Sequence, residues 1–151
     1  MFAPKITKHL NTILVDYDDQ QWQTIDKDRY ASVEYVELQH FPVRGKGRNN
    51  IRFRLVPPRC KNASNHAVTT QLAYMHCRLP DRAEAETVIR SLAPEILRRF
   101  TVIALAGERF QEEGFFCQPY VGGKQDGVYL ALDMVSGRWD RRHLFVAIAR
   151  E

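Results

Sequence analysis

The sequence has no apolar run long enough to cross a bilayer, and its amino-terminal segment lacks the sustained apolar block of a signal peptide. A membrane-spanning helix needs roughly 20 consecutive apolar residues, so the first absence argues against an integral membrane protein. A secretory signal would also carry a small-residue cleavage site, which is missing from the same segment. We therefore expect a cytoplasmic protein with no membrane partner.

Cysteine is scarce, and its spacing excludes two common kinds of site. Cys60, Cys77 and Cys117 are odd in number and lie far apart in the chain. They match neither a disulfide framework nor the paired ligands of a CxxC metal site. The histidines show no HxxxH-type spacing either. The sequence thus predicts no metal ligand, no cofactor and no catalytic residue.

The composition is that of an ordinary folded domain. The chain has 151 residues, of which 44% are hydrophobic and 26% are charged. A chain of this length buries roughly 70% of the surface that its unfolded form exposes. No linker or repeat divides it, so we predict a single domain over residues 1–151.

Hydrophobic periodicity predicts strands on both sides of one helix. Asp81 is expected to cap a helix over about residues 81–99, with Glu84 as its capping-box partner and Pro94 as the cause of a kink. This order predicts an α+β fold in which a largely antiparallel, curved sheet of about seven to eight strands packs against the kinked helix. The expected strands lie at residues 12–17, 30–41, 51–56, 67–79, 100–107, 114–121, 127–135 and 142–150.

Acidic residues are absent from positions 38 to 80, an interval that holds eight lysines and arginines. The whole chain has a net charge of +4, so the rest of it is net negative. Arginine outnumbers lysine sixteen to six. Because arginine binds phosphate and carboxylate groups through two parallel hydrogen bonds, this bias favours an anionic partner.

The segment "RGKGRNNIRFRLV", residues 44–56, concentrates this charge. Glycine and asparagine predict a hairpin loop, and the alternation of "IRFRLV" predicts a strand with one buried and one cationic face. A line of cations along a loop and a strand suits a phosphate backbone. The alternative is a solvated edge strand whose arginines prevent aggregation. The five candidate phosphate-binding residues are Arg44, Lys46, Arg48, Arg52 and Arg54.

A second candidate site lies in "SGRWDRRH", residues 136–143. Arginines beside an aromatic ring can hold a phosphate backbone while a base stacks on the ring. The alternative is that the tryptophan packs inward while Asp140 pairs with a neighbouring arginine. The nucleic-acid-binding residues predicted here are Arg138, Trp139, Arg141 and Arg142.

The stretch "ILVDYDD" is an apolar strand that ends in Asp-x-Asp. It resembles the first motif of haloacid dehalogenase-type phosphotransferases over about seven residues, which would make Asp16 a nucleophile and Asp18 an acid/base. No second motif, matching lysine or downstream pair of acids follows. The same carboxylates could hold Mg²⁺ with help from Glu34, Glu37 or Asp133, but nothing sets their spacing. A solvated turn is the preferred interpretation, and no enzyme is predicted.

The leading hypothesis is a small, non-enzymatic nucleic-acid-binding protein that grips a phosphate backbone through residues 44–54 and 138–142. The alternative is a protein–protein adaptor or inhibitor that acts on a nucleic-acid-processing complex through charged surfaces, with the acidic residues 16–37 imitating phosphates. The apolar carboxy-terminal strand is also expected at an edge, where it would support a homodimer.

Overall fold

The computed structural model describes residues 9–107, 109–112, 114–134 and 139–151. These residues form a mixed sheet of nine strands with three α-helices, which confirms the predicted α+β class. The strands are β1 (Asn11–Asp16), β2 (Ser32–Val33), β3 (Arg48–Val56), β4 (Cys77–Arg78), β5 (Thr101–Leu105), β6 (Phe110–Glu112), β7 (Phe115–Lys124), β8 (Gly127–Met134) and β9 (His143–Ala149). The helices are α1 (Asn65–Tyr74), α2 (Arg82–Ser91) and α3 (Pro94–Arg99).

The main strand order is β1-β3-β9-β5-β7-β8-β2, with β4 paired to β9 and β6 paired to β7. Most neighbours are antiparallel, but β5 runs parallel to β9 and β2 runs parallel to β8. The prediction that the carboxy-terminal strand lies at an edge is wrong, because β9 is hydrogen-bonded between β3 and β5. Its almost uninterrupted apolar sequence reflects burial on both faces of the sheet.

The helix at the centre of the sequence begins and breaks as predicted. The Asp81 side chain accepts a hydrogen bond from the Glu84 N–H, and the Glu84 carboxylate accepts one from the Asp81 N–H. Pro94 cannot donate to the preceding turn, so α2 ends at Ser91 and α3 begins at Pro94. The predicted single kinked helix is therefore two helices.

The two faces of the sheet bury separate apolar clusters. Val88 and Ile89 of α2 pack on one face, which we call the α2 face, against alternate residues of the strands. Val68 and Leu72 of α1 pack on the opposite face, which we call the α1 face. The helix over residues 65–74 was predicted as a strand, because its threonines and aromatic residues have high β-propensity. A helix forms because Val68 and Leu72, four residues apart, are buried on one side of it, and because Ser64 caps its first turn.

The structure also differs from the predictions for the strand at residues 30–41 and for the loop before β3. Of residues 30–41, only Ser32–Val33 form a strand, and Leu38–His40 form a 3-10 turn. Strand β3 pairs with β1 and not with residues 30–41. Arg48 is therefore paired with Asp16 in the β1–β3 ladder and does not lie at a hairpin tip. Residues before β3 are also packed, because a Cβ on Gly45 would lie 2.4 Å from the Tyr17 ring. The predicted hairpin loop therefore packs against Tyr17 at Gly45, and its last residues belong to β3.

Within the described ranges, no helix combines the length and the apolar character that a membrane crossing requires.

Candidate functional site

A cavity of about 520 Å³ opens beyond the carboxyl ends of β5 and β9. Ala106 and Gly107 follow β5 into its wall, and Arg150 follows β9. Crevices outside the carboxyl ends of neighbouring parallel strands are common ligand sites in α/β sheets, and this volume suits a small ligand or part of a larger one. We call this cavity the arginine pocket, after Arg44, Arg78 and Arg150 in its lining.

Glu84 is the buried anion of the arginine pocket. Its carboxylate accepts hydrogen bonds from the Arg78 Nη1 and Nη2 atoms at 2.8 and 2.6 Å, and from the Tyr17 hydroxyl at 2.7 Å. Burial pushes the pKa of Glu84 upward, but the hydrogen bonds from Arg78, the Asp81 N–H and Tyr17 outweigh it and leave the pKa below its usual value. Glu84 is therefore ionised at neutral pH and holds Arg78 in place.

Asp81 is the second carboxylate of the pocket, and its environment acts in the opposite direction. Burial raises the pKa of Asp81, and repulsion from Glu84 adds to the increase. Its side chain accepts hydrogen bonds from the Glu84 and Arg44 N–H groups. The Arg44 contact, at 3.1 Å, fixes the segment before β3 across the start of α2. The sequence-predicted Arg44 is brought to the pocket in this way.

Tyr17 closes the inner side of the pocket. Burial raises the pKa of the Tyr17 hydroxyl well above its usual value, and the hydrogen bond to Glu84 raises it further. The phenol therefore stays protonated and acts as a donor to Glu84 at neutral pH.

The charges of the pocket favour a small anion. Three guanidinium groups stand against two carboxylates, which leaves one net positive charge when both acids are ionised. Arg78 is committed to Glu84, whereas Arg150 is largely exposed and bonds the Cys77 carbonyl through Nε at 3.4 Å. A phosphodiester or a carboxylate, each with a single negative charge, matches this balance.

The other predicted cations of residues 44–54 differ in their exposure and in their partners. The Arg48 Nε atom lies 3.4 Å from the carboxylate of Asp16, which is its partner in the β1–β3 ladder. Residues 38–80 contain no acid, but the fold brings this acid from β1 beside them. Arg54 is half-buried and donates to the Met75 carbonyl at the end of α1, where a cation also suits the helix dipole. Lys46 and Arg52 are exposed. Arg52 lies on the α1 face, at the same end of the sheet as the arginine pocket but on the opposite face.

The second predicted cluster does not join the first. Arg142 precedes β9, whereas Arg52 lies beside the last residues of β9. The two arginines are therefore separated by about 23 Å along the direction of the strand. Trp139 is only 8% exposed and packs edge-on against Tyr120, His143 and Phe145. This burial favours the alternative interpretation, in which the tryptophan packs inward. Arg141 and Arg142 are exposed, and Arg138 lies outside the described residues.

The Asp-x-Asp stretch has local structural partners. Asp16 pairs with Arg48 and also accepts a hydrogen bond from the Asp18 N–H at 3.1 Å. Asp19 caps the following 3-10 turn through the Gln21 N–H. These contacts fit the interpretation as a solvated turn. Among the residues whose side chains are described, no group of three His, Cys, Asp or Glu is placed to hold a metal ion.

Sequence reasoning missed Arg78 and Arg150 as members of one site. Arg78 was assigned to a strand that is mostly helix, and Arg150 was the last cation of an apolar strand. Only the pairing of β4 with the end of β9, Arg78 opposite Ile148, brings the two together. The capping box at Asp81 and Glu84 was the one sequence signal of this site. An acid at N3 of a packed helix needs a cationic partner if it is buried.

No family model, no curated protein and no solved structure matches the chain.

Proposed function

We propose that this chain is a non-enzymatic nucleic-acid-binding protein whose main phosphate contact is the arginine pocket. The observation that carries the proposal is the convergence of Arg44, Arg78 and Arg150, from three separate chain segments, on one cavity. Arg150 supplies the exposed guanidinium of this site, and Arg78, whose two Nη atoms are bound by Glu84, forms its cationic wall. A phosphate in the nucleic-acid backbone has the charge that such a site accepts.

A neighbouring cavity supports an extended ligand. This cavity, of about 510 Å³, is lined by His40, Arg109 and Phe110 and shares Arg44 with the arginine pocket. A backbone that passes both cavities would meet about three phosphates. Counterion release then gives a slope of log affinity against log salt near −2.7, or roughly 40-fold weaker binding at 200 mM than at 50 mM salt.

The test is fluorescence anisotropy with labelled single- and double-stranded oligonucleotides at these two salt concentrations. Arg150→Gln is expected to weaken binding about tenfold at low salt and to make the salt slope shallower by about 0.9, because one charged contact is lost. Arg98→Gln removes another exposed arginine, whose partner is Glu95 on α3. This control variant should bind like the wild type.

Two outcomes would contradict the proposal in different ways. An absence of binding at low salt would remove nucleic acid as the partner. If instead Arg52→Gln weakened binding and Arg150→Gln did not, nucleic acid would remain the partner but the contact would lie on the α1 face of β3.

The position of β1 favours a second candidate function, the protein–protein adaptor. Among the described residues, β1 is the terminal strand of the sheet, and Leu14 on it is 53% exposed. An exposed strand edge can accept a strand from a partner protein or from a second copy of the chain. Leu14→Lys should then abolish capture of a partner from the host or dimerisation measured by light scattering. Nucleic-acid binding that is unchanged in this variant would separate the two functions.

A further inference from the structure

The hairpin formed by β6 and β7 carries two adjacent exposed aromatic residues. Phe115 is 58% exposed and Phe116 is 57% exposed. Strand β7 continues past the end of β5, since Tyr120 pairs with Leu105 and residues 115–117 pair only with β6 and β8. The hairpin therefore projects at the same end of the sheet as the arginine pocket.

The register of β7 decides which way each phenylalanine points. Side chains alternate along a regular strand. A Cβ on Gly123 would meet Ile89 of α2, so the odd-numbered residues of β7 lie on the α2 face. Phe115 thus points to the α2 face and Phe116 to the α1 face. The two rings cannot pack on one another.

Phe115 lies near an aromatic stack on the α2 face, and two arginines line the cavity beside that stack. Phe110 stands opposite Cys117 in the ladder, which makes Phe110 a diagonal neighbour of Phe115 at roughly 7–8 Å between Cα atoms. The Phe110 ring stacks on His40 with 4.8 Å between centroids and an angle of 8° between planes. Arg44 and Arg109 line the same cavity as this stacked pair.

We propose that the β6–β7 hairpin, through Phe115 and the neighbouring His40–Phe110 stack, is a platform on which unpaired bases stack. The ligand of the protein is then a single-stranded nucleic acid. This inference rests on the proposed function, because the arginines supply the phosphate contacts while the rings take the bases. Alternating cations and exposed rings are the features that sequence-tolerant single-strand binders use, since every base has a π face.

Charge and solvation favour this occupant over an apolar protein segment. Exposed rings beside arginines match a polymer that alternates flat bases with anionic groups. In the sequence, Glu112 and Glu113 are followed by Gly114 and then by the hairpin's phenylalanines, and Glu112 is the cross-strand partner of Phe115. The phosphates are therefore expected on the Arg44 and Arg109 side of the platform and not at the tip of the hairpin.

The experiment compares three labelled ligands of about 15 nucleotides, the length range of single-strand sites: a single strand, its duplex, and an abasic strand with the same phosphates. Phe115→Ala should weaken binding to the single strand by about 5- to 150-fold and leave binding to the abasic strand unchanged. Phe115→Tyr, which keeps a ring, should bind like the wild type. Phe115→Leu, which keeps apolar area without a ring, should bind like Phe115→Ala.

The failures of the two proposals are distinguishable. Wild-type protein that binds none of the three ligands at low salt overturns the proposed function and this inference together. Wild-type protein that binds the abasic strand as tightly as the single strand overturns only the stacking platform. The stacking platform alone is also overturned if the wild type binds the duplex as tightly as the single strand or more tightly, or if Phe115→Leu binds the single strand with full affinity. Because Phe115 is exposed, unchanged melting temperatures should show that each variant is folded.

Discussion

Glu84 is a buried carboxylate that joins three chain segments around the arginine pocket. It accepts hydrogen bonds from Tyr17 after β1, from Arg78 in β4 and from the Asp81 N–H before α2. A buried acid with a charged partner is costly to disturb, because Arg78 would lose the carboxylate with which it is paired. The geometry of the pocket and the stability of the fold therefore depend on the same side chain.

Glu84→Gln should lower the free energy of unfolding at pH 7 by about 2 kcal/mol, the range expected for hydrogen bonds to a charged group. Because the folded-state pKa of Glu84 lies below its unfolded value, its contribution is fully present above the unfolded pKa and is lost as pH falls through the folded pKa. The difference between wild type and variant in urea denaturation should therefore shrink below about pH 4.3.

Asp81→Asn is the matched control, since asparagine is also a good N-cap. The folded-state pKa of Asp81 lies above its unfolded value, so ionised Asp81 disfavours folding relative to the protonated form. The wild type should gain relative to Asp81→Asn as the pH falls, the reverse of the trend for Glu84→Gln. Parallel trends for the two variants would contradict the opposite pKa directions.

At the scale of elements, Arg82 ties the segment between β1 and β2 to α2. Its guanidinium is 1% exposed and pairs with Glu86 at 2.8 Å. It also donates to the Thr24 carbonyl at 3.0 Å and to the Tyr30 hydroxyl. The segment at residues 20–30 has only short 3-10 turns of its own, so this buried network and Trp22 hold it on the helix.

Arg82→Met should destabilise the protein by about 3–5 kcal/mol, because it leaves Glu86 buried with fewer partners. For a chain of this size the melting temperature should fall by about 10 °C or more. Arg98→Met, which breaks the exposed pair with Glu95, should cost less than about 1 kcal/mol. Adding Glu86→Met to Arg82→Met should recover part of the loss. Similar losses for Arg82→Met and Arg98→Met would show that the buried network does not stabilise the segment.

At the scale of the whole molecule, the sheet separates the two predicted basic clusters. Residues 44–52 lie near the carboxyl end of β9, whereas Arg141 and Arg142 precede its amino end. The separation of about 23 Å exceeds the Debye length of about 8 Å at physiological salt. Charges at one end of the sheet are therefore screened from a ligand at the other.

Replacing both Arg141 and Arg142 with glutamate should leave affinity for a short oligonucleotide within about twofold of the wild type at physiological salt, because screening removes the long-range effect. Anisotropy at that salt is the measurement. A loss comparable to that of Arg150→Gln would place the contact at the amino end of β9 and overturn the assignment to the arginine pocket.

The sequence by itself determined the features that depend on neighbours in the chain. The alternation of Ile51, Phe53 and Leu55 specified a half-buried strand, the Asp81–Glu84 box specified the start of α2, and Pro94 specified its end. Propensity misled at residues 65–74, where threonine and tyrosine favour a strand but burial of Val68 and Leu72 under the sheet stabilises a helix.

Only the tertiary structure decided where the cations meet and which aromatic rings remain exposed. The pairing of β3 with β1 placed Asp16 beside Arg48, and the pairing of β4 with β9 placed Arg78 near Arg150. Trp139 is part of the core, whereas Phe115 is exposed at the start of β7, where this strand extends past the end of β5. Strand pairing joins residues far apart in sequence according to which apolar faces bury each other best, and local periodicity carries no record of that choice.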